Sequence, residues 1–271
     1  MKNKNIILGS VVGLSFENIR PFIYSLKKLE SDKDLCLFIS NVNKTTLDSL
    51  SENGIKLLPF DLGNIHLQCY RYLLYQKYLS NNKYSNVMLT DVRDVTFQRN
   101  PFDFEFDNLS CFLEDKRKTI NSCNFNSNWI RQAYGSDTLS EIGSNSISCS
   151  GTTIGPYSSI VHYLDNMAYQ IKGLGPKANI IGIDQGIHNY LIYENLIDCK
   201  LFENYYGAVL TMGYSHTKDI HFNNEGFIIN NDNSIINVLH QYDRHREIAY
   251  RIHNKLSLLI LNSLKNKIEM L

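Results

Sequence analysis

Four short apolar runs rich in β-branched residues, at positions 5–12, 34–40, 55–60 and 86–90, constrain this chain more than any other feature. Each is too short for a helix and too continuous for a strand with one wet face, so each reads as a strand buried on both sides. The stretches between them have helical spacing. Ile19, Phe22, Ile23 and Leu26 mark a helix over 16–29, a second spans 45–53 and stops at Asn53-Gly54, and a third, rich in Tyr and Leu, spans 63–79. Glycine after a helix end takes the left-handed capping conformation without steric cost. Such alternation predicts an α/β fold: a mainly parallel, twisted sheet flanked by helices, Rossmann-like and single-domain. Ligands of such sheets collect at the carboxyl ends of the strands, and the fourth run ends on Asp91.

The remainder is less regular. Residues 115–148, rich in Asn, Ser and Lys, read as loops; helices are expected over 159–171 and 184–194, and a last strand over 234–239. The body of the fold is expected over 1–246. A C-terminal amphipathic helix follows over 247–271, with a stripe of Ile248, Ile252, Leu256, Leu259, Ile260, Leu264 and Ile268. Leu258 and Leu261 broaden that stripe and Lys255, Lys265 and Lys267 border it. Docking on the core and contact with a membrane face or a partner both remain open.

Composition narrows the function. Lys+Arg and Asp+Glu stand at 27 each, so no bulk field draws in nucleic acid, and any anion must be held by a local site. The six cysteines are scattered without a C-x-x-C pair, which argues for buried thiols and a reducing cytoplasm. No run of ~20 apolar residues is present to span a bilayer, and the N-terminal run, broken by Gly9, Ser10 and Gly13, lacks a leader's cleavage pattern.

Asp91 and Asp94 are the chemical centre. Two carboxylates three positions apart at the end of a buried strand repel unless a cation joins them, and Mg²⁺ or Mn²⁺ takes carboxylate oxygens together with substrate phosphates. The plainer alternative pairs Arg93 with one aspartate and lets the other cap the next turn. The segment from Asp91-Val92-Arg93-Asp94 through Asn100-Pro101-Phe102 resembles the surroundings of the Asp-x-Asp motif in GT-A glycosyltransferases. Further elements follow the same order. Arg71 resembles the arginine those families keep near the donor. Ser148-Cys149-Ser150-Gly151 is similar to their Asn/Ser-x-Gly strand. Asp184-Gln185 is similar to the Asp-Gln signature of the glycogenin-like and plant-xylosyltransferase-like families, and His240 to their late metal-binding histidine. The spacing here, Asp-Val-Arg-Asp, departs from Asp-x-Asp. Measured from Asn100-Pro101-Phe102, Asp94 takes the metal-bound place and Asp91 is an auxiliary at the metal or the donor.

The resemblance implies a GT-A enzyme that uses Mn²⁺ or Mg²⁺ to move a sugar from a UDP- or GDP-sugar to a glycan, lipid-linked or other acceptor. Asp94, His240 and Asp91 would hold the metal. Arg71 would serve the donor diphosphate, Asp184 and Gln185 would face the sugar, and Gly151 would let the acceptor approach. Gly9 and Ser10 read separately as a place where the nucleotide nears the backbone. The Asp-Gln families are largely retaining, and no dedicated base stands out in the sequence, which suits front-face transfer. Simpler readings stand beside these: a strand-end His240, with His216 and His221 as rivals, an Asp184 that caps its helix, and an Arg71 on the surface. Metal-dependent phosphoryl or nucleotidyl transfer and a noncatalytic carbohydrate- or nucleotide-binding module are the competing functions. Thr96 imitates part of an Asp-x-Asp-x-Thr phosphatase motif, but the three-residue step misplaces Asp91.

Overall fold

The computed structural model describes residues 4–29 and 33–254. The first half follows the alternation: β1 (Asn5–Val12), α1 (Phe16–Lys27), β2 (Lys33–Ser40), α2 (Lys44–Glu52), β3 (Lys56–Pro59), α3 (Leu67–Leu79) and β4 (Asn86–Thr90). There follow β5 (Val95–Phe97), β6 (Leu109–Leu113), α4 (Asn124–Tyr134), α5 (Ser136–Ile142), β7 (Ser148–Pro156), α6 (Tyr157–Leu174), α7 (Ile183–Tyr193) and β8 (Cys199–Phe202). The last strands are β9 (Val209–Thr211), β10 (His221–Phe222), β11 (Ile228–Ile229) and β12 (Val238–His240).

Seven strands form one mixed sheet in the order β3-β2-β1-β4-β7-β6-β8, flanked by helices. Strands β3, β2, β1 and β4 are parallel, while β7 runs against both β4 and β6. The expectation of a mainly parallel sheet therefore holds for the Rossmann-like half and is corrected at β7. The continuous apolar runs are explained by burial of both faces. In β1, Ile6 and Leu8 pack with α3, α6 and α7 residues such as Tyr72, Tyr163 and Ile187, whereas Ile7 and Val11 pack with Phe22 and Ile23 of α1. Successive side chains of a strand point to opposite faces, so a strand covered on both must be apolar at every position.

Residues 115–148 are not all loop, because they contain α4 and α5. The buried face of α4 carries Asn126 and Ser127 beside Ile130, while Phe125 is exposed. Polar groups on the inward face erased the helical hydrophobic period. The third helix starts at Leu67 rather than at 63, with the His66 imidazole accepting from the Gln68 amide at its cap. The final strand is Val238–His240, shorter and later than expected. Of the C-terminal stripe, Ile248 is buried and Ile252 packs beside it on Leu239 and Tyr242. Residues 255–271 lie outside the described residues. No described helix is long and apolar enough to cross a membrane. Five of the six cysteines are buried and all are free thiols.

Candidate functional site

The site lies at the carboxyl edge of β1 and β4, where a small second sheet, β5-β12-β9, docks beside the main one. Strand β5 begins one residue after Asp94, and its antiparallel register with β12 sets His240 opposite Val95. The Gln241 amide donates to the Asp94 carbonyl at 2.8 Å, which locks this register. On the other side the Asp91 amide donates to the Gly151 carbonyl at 2.8 Å. Residues as far apart in sequence as Asp91 and His240 are thereby fixed around one point.

Asp91, Asp94 and His240 each offer a ligand atom within 4.8 Å of the others, a group able to hold a metal ion. His240 Nε2 lies 3.4 Å from Asp91 Oδ2 and 4.0 Å from Asp94 Oδ1. His240 is fully buried; its Nε2 has no partner in good hydrogen-bond geometry beyond this ionic contact, while Nδ1 shares a hydrogen bond with the Cys149 sulfur at 3.7 Å. A buried polar nitrogen without a well-placed partner is costly, and here it faces two carboxylates. That is the donor set expected of a divalent-cation site, with borderline nitrogen beside hard oxygen. Burial works against an imidazolium, yet the Cys149 sulfur, Asp91 and Asp94 hold the His240 pKa well above its ordinary value. Burial also raises the Asp94 carboxyl, and the neighbouring Asp91 charge adds to it against the pull of His240.

Gly151 makes this cluster possible. A Cβ built on it would stand 2.4 Å from His240 Cε1 and 2.7 Å from both His240 Nε2 and Asp91 Oδ2. Gly151 also lines the cavity over the cluster, so its missing side chain leaves room for His240 and Asp91 beneath it. Gly151→Ala should therefore cost about 1–3 kcal/mol by overpacking and remove any Mn²⁺-induced rise in melting temperature. Calorimetric melts of the variant with and without Mn²⁺ check this; an unchanged Mn²⁺ shift would refute the packing argument.

Arg71 is neither on the surface nor free. It is buried on α3 and holds two carboxylates, Asp91 through Nη1 in a close ion pair and Asp184 through Nη2 at 3.0 Å. Burial alone would raise the Asp91 carboxyl, but the Arg71 guanidinium and His240 beside it hold it well below the usual carboxylate range. The capping role for Asp184 is corrected: Gly182, with φ of 84°, occupies the cap of α7, and Asp184 is the second helical residue. Its Oδ2 accepts from Arg71 and, at 3.1 Å, from Ser150 Oγ. A Cβ at position 182 would also strike the Trp129 ring at 2.0 Å. The plainer reading of Arg93 holds in part, since its guanidinium spans Asp94 at 3.1 Å and Asp243 at 2.7 Å.

A cavity of about 700 Å³ opens over the cluster, lined by Ser10, Arg71, Asp91, Asp94, Gly151, Asp184 and Gln185 among others. Gly9 does not line it. A Cβ there would meet Val92 Cγ2 at 2.5 Å, so this glycine serves the packing of β1 against the turn that follows β4. His216 and His221 lie away from the cluster, and His221 is exposed. His188, fully buried, is bonded on both ring nitrogens, to Ser148 and Tyr163, and burial drops its pKa to about 3. It is a neutral core histidine.

Several lining residues were not foreseen. Glu114 follows the apolar strand β6, and its Oε1 accepts from Gln185 Nε2 at 3.2 Å. Gln185 also donates to Asn126 Oδ1 at 3.0 Å, which explains why α4 buries an asparagine. An acid at the carboxyl end of a buried strand is the signal that singled out Asp91, and Leu109–Leu113 followed by Glu114 repeats it. Phe125, Trp129 and Tyr214 supply aromatic lining from segments whose pattern was too weak to place. Comparison with protein-family models and with curated proteins finds no match for this chain.

Proposed function

We propose that this chain is a metal-dependent glycosyltransferase of the GT-A type, acting on a UDP- or GDP-sugar with Mn²⁺ or Mg²⁺ and delivering the sugar to a glycan or lipid-linked acceptor. The observation that carries this reading is the convergence of Asp91, Asp94 and the buried His240 Nε2 at the carboxyl edge of a Rossmann-like half-sheet, beneath a cavity of about 700 Å³. When bound there, a divalent cation supplies the charge that offsets a diphosphate leaving group. Arg71 holds Asp91 and Asp184 in fixed orientation, so that neither carboxylate has to reorganise when substrate arrives. Asp184 and Gln185 line the same cavity as the acidic pair, where a donor sugar's hydroxyls would meet them. Cavities of this size bury most of a small ligand.

The phosphatase alternative needs an aspartate free to attack phosphorus. Asp91 is bound by Arg71 and lies against His240, which disfavours it as that nucleophile. A thermal-shift panel of UDP- and GDP-sugars, each with Mn²⁺ and with EDTA, tests the proposal. One nucleotide sugar should raise the melting temperature only when Mn²⁺ is present, in line with a ligand that binds the folded state alone. Indifference to every nucleotide sugar would sink it. Stabilisation without turnover of the bound donor would point to a binding module.

A further inference from the structure

Among the described residues, Glu114 is the one acidic side chain that borders both the cavity over the acidic cluster and a second cleft of about 380 Å³. The second cleft carries Tyr205, Tyr206, Asn204 and Asn231 on its walls. Glu114 is 5 % exposed, and only one of its carboxylate oxygens is engaged: Oε1 accepts from Gln185, while Oε2 is buried without a partner. A buried carboxylate oxygen left unpaired in a structure is expensive, unless a donor arrives with a ligand. A ligand hydroxyl that reaches Glu114 from either cavity would be such a donor. The side chain is preset for this: Gln185 holds the other oxygen and is itself held by Asn126.

Resting on the glycosyl-transfer reading above, we propose that Glu114 binds the attacking hydroxyl of the acceptor and takes its proton. In that step the hydroxyl O–H bond breaks and the proton passes to Glu114 Oε2. The oxygen's electron pair forms the new bond to the anomeric carbon. The bond from that carbon to the phosphate oxygen breaks, and its pair leaves with the nucleoside diphosphate. A proton acceptor serves best with a pKa near the working pH. Burial raises the Glu114 carboxyl to about 7, against the downward pull of Gln185, His240 and Cys149, and Tyr214 also faces it. The group works only when ionised, so turnover should rise with pH through about 7.

The test uses the full chain, Mn²⁺ and the nucleotide sugar that gives the largest shift in the panel. Release of nucleoside diphosphate is followed with water and with a set of methyl glycosides as acceptors, from pH 5 to 9. Glu114→Gln should keep the Mn²⁺-dependent thermal shift and the donor KM, lose about 10²–10⁴-fold in kcat, a typical contribution of a positioned base, and lose the rise through neutral pH. Glu114→Asp, which keeps a carboxylate, should retain that rise with a smaller loss and guards against a folding defect in the first variant. Turnover by Glu114→Gln within 3-fold of wild type at every pH overturns the proposal in favour of front-face transfer. A wild-type chain that binds a donor but discharges it to neither water nor any glycoside overturns it too. If no nucleotide sugar binds at all, the failure lies with the glycosyl-transfer reading itself.

Discussion

Asp94→Asn should abolish the Mn²⁺-dependent stabilisation by nucleotide sugar while leaving the metal-free protein as stable as wild type, or more so. The carboxylate is buried and flanked by Asp91 and His240, with the Arg93 guanidinium at 3.1 Å. Burial raises its pKa, so ionised Asp94 is a cost in the absence of metal. Asparagine has the same shape and no charge, and Arg93 keeps Asp243 as a partner. With metal the balance reverses. Loss of residues that merely orient a ligand weakens metal affinity about 10–100-fold, so loss of a ligand itself should cost at least about 100-fold. At a concentration about 100 times Kd the stabilisation is about 2.7 kcal/mol, and the substitution should erase nearly all of it. Paired melts of both proteins with and without Mn²⁺ and nucleotide sugar decide the matter. An undiminished ligand shift in the variant would remove Asp94 from the metal site.

Arg71→Met should be the most destabilising single change at the site, by about 3–5 kcal/mol, because it leaves the buried Asp184 and the partly exposed Asp91 beside each other without the cation they share. The sign of its pH dependence follows from linkage. Asp91 is held well below the usual carboxylate range by Arg71, so the stability it contributes is present above the ordinary carboxylate pKa and is lost as pH falls through the depressed one. Without Arg71 that contribution is gone, and protonation of Asp91 or Asp184 now relieves repulsion. The gap between wild type and variant should therefore be widest at pH 8 and narrow towards pH 4. Urea denaturation at the two values measures it. A gap below about 1 kcal/mol at pH 8 would show that Arg71 is a bystander.

Much of the scaffold was legible because strands buried on both faces have to be apolar throughout. Ile6-Ile7-Leu8 and Val87-Met88-Leu89 announce themselves without any tertiary information. Helix α4 was illegible for the opposite reason: Asn126 faces inward to serve Gln185, and a polar residue on a buried face cancels the period that reveals a helix. The reversal at β7 was also hidden, since a strand's side-chain pattern is the same in either direction.

At the site, the chain's local chemistry specified Asp91 and Asp94, two carboxylates that a buried strand delivers to the sheet's edge. What they meet was decided by tertiary structure alone. The pairing of β5 with β12 brings His240 to the acidic pair, Gly151 yields the room for it, and α3 turns Arg71 inward between Asp91 and Asp184. Glu114, too, becomes notable only through an unpaired oxygen at the junction of two cavities. The physical reason is one of range. Apolar periodicity and turn chemistry act over a few residues and are written locally, whereas charge pairing and desolvation depend on distances in space between residues far apart in the chain.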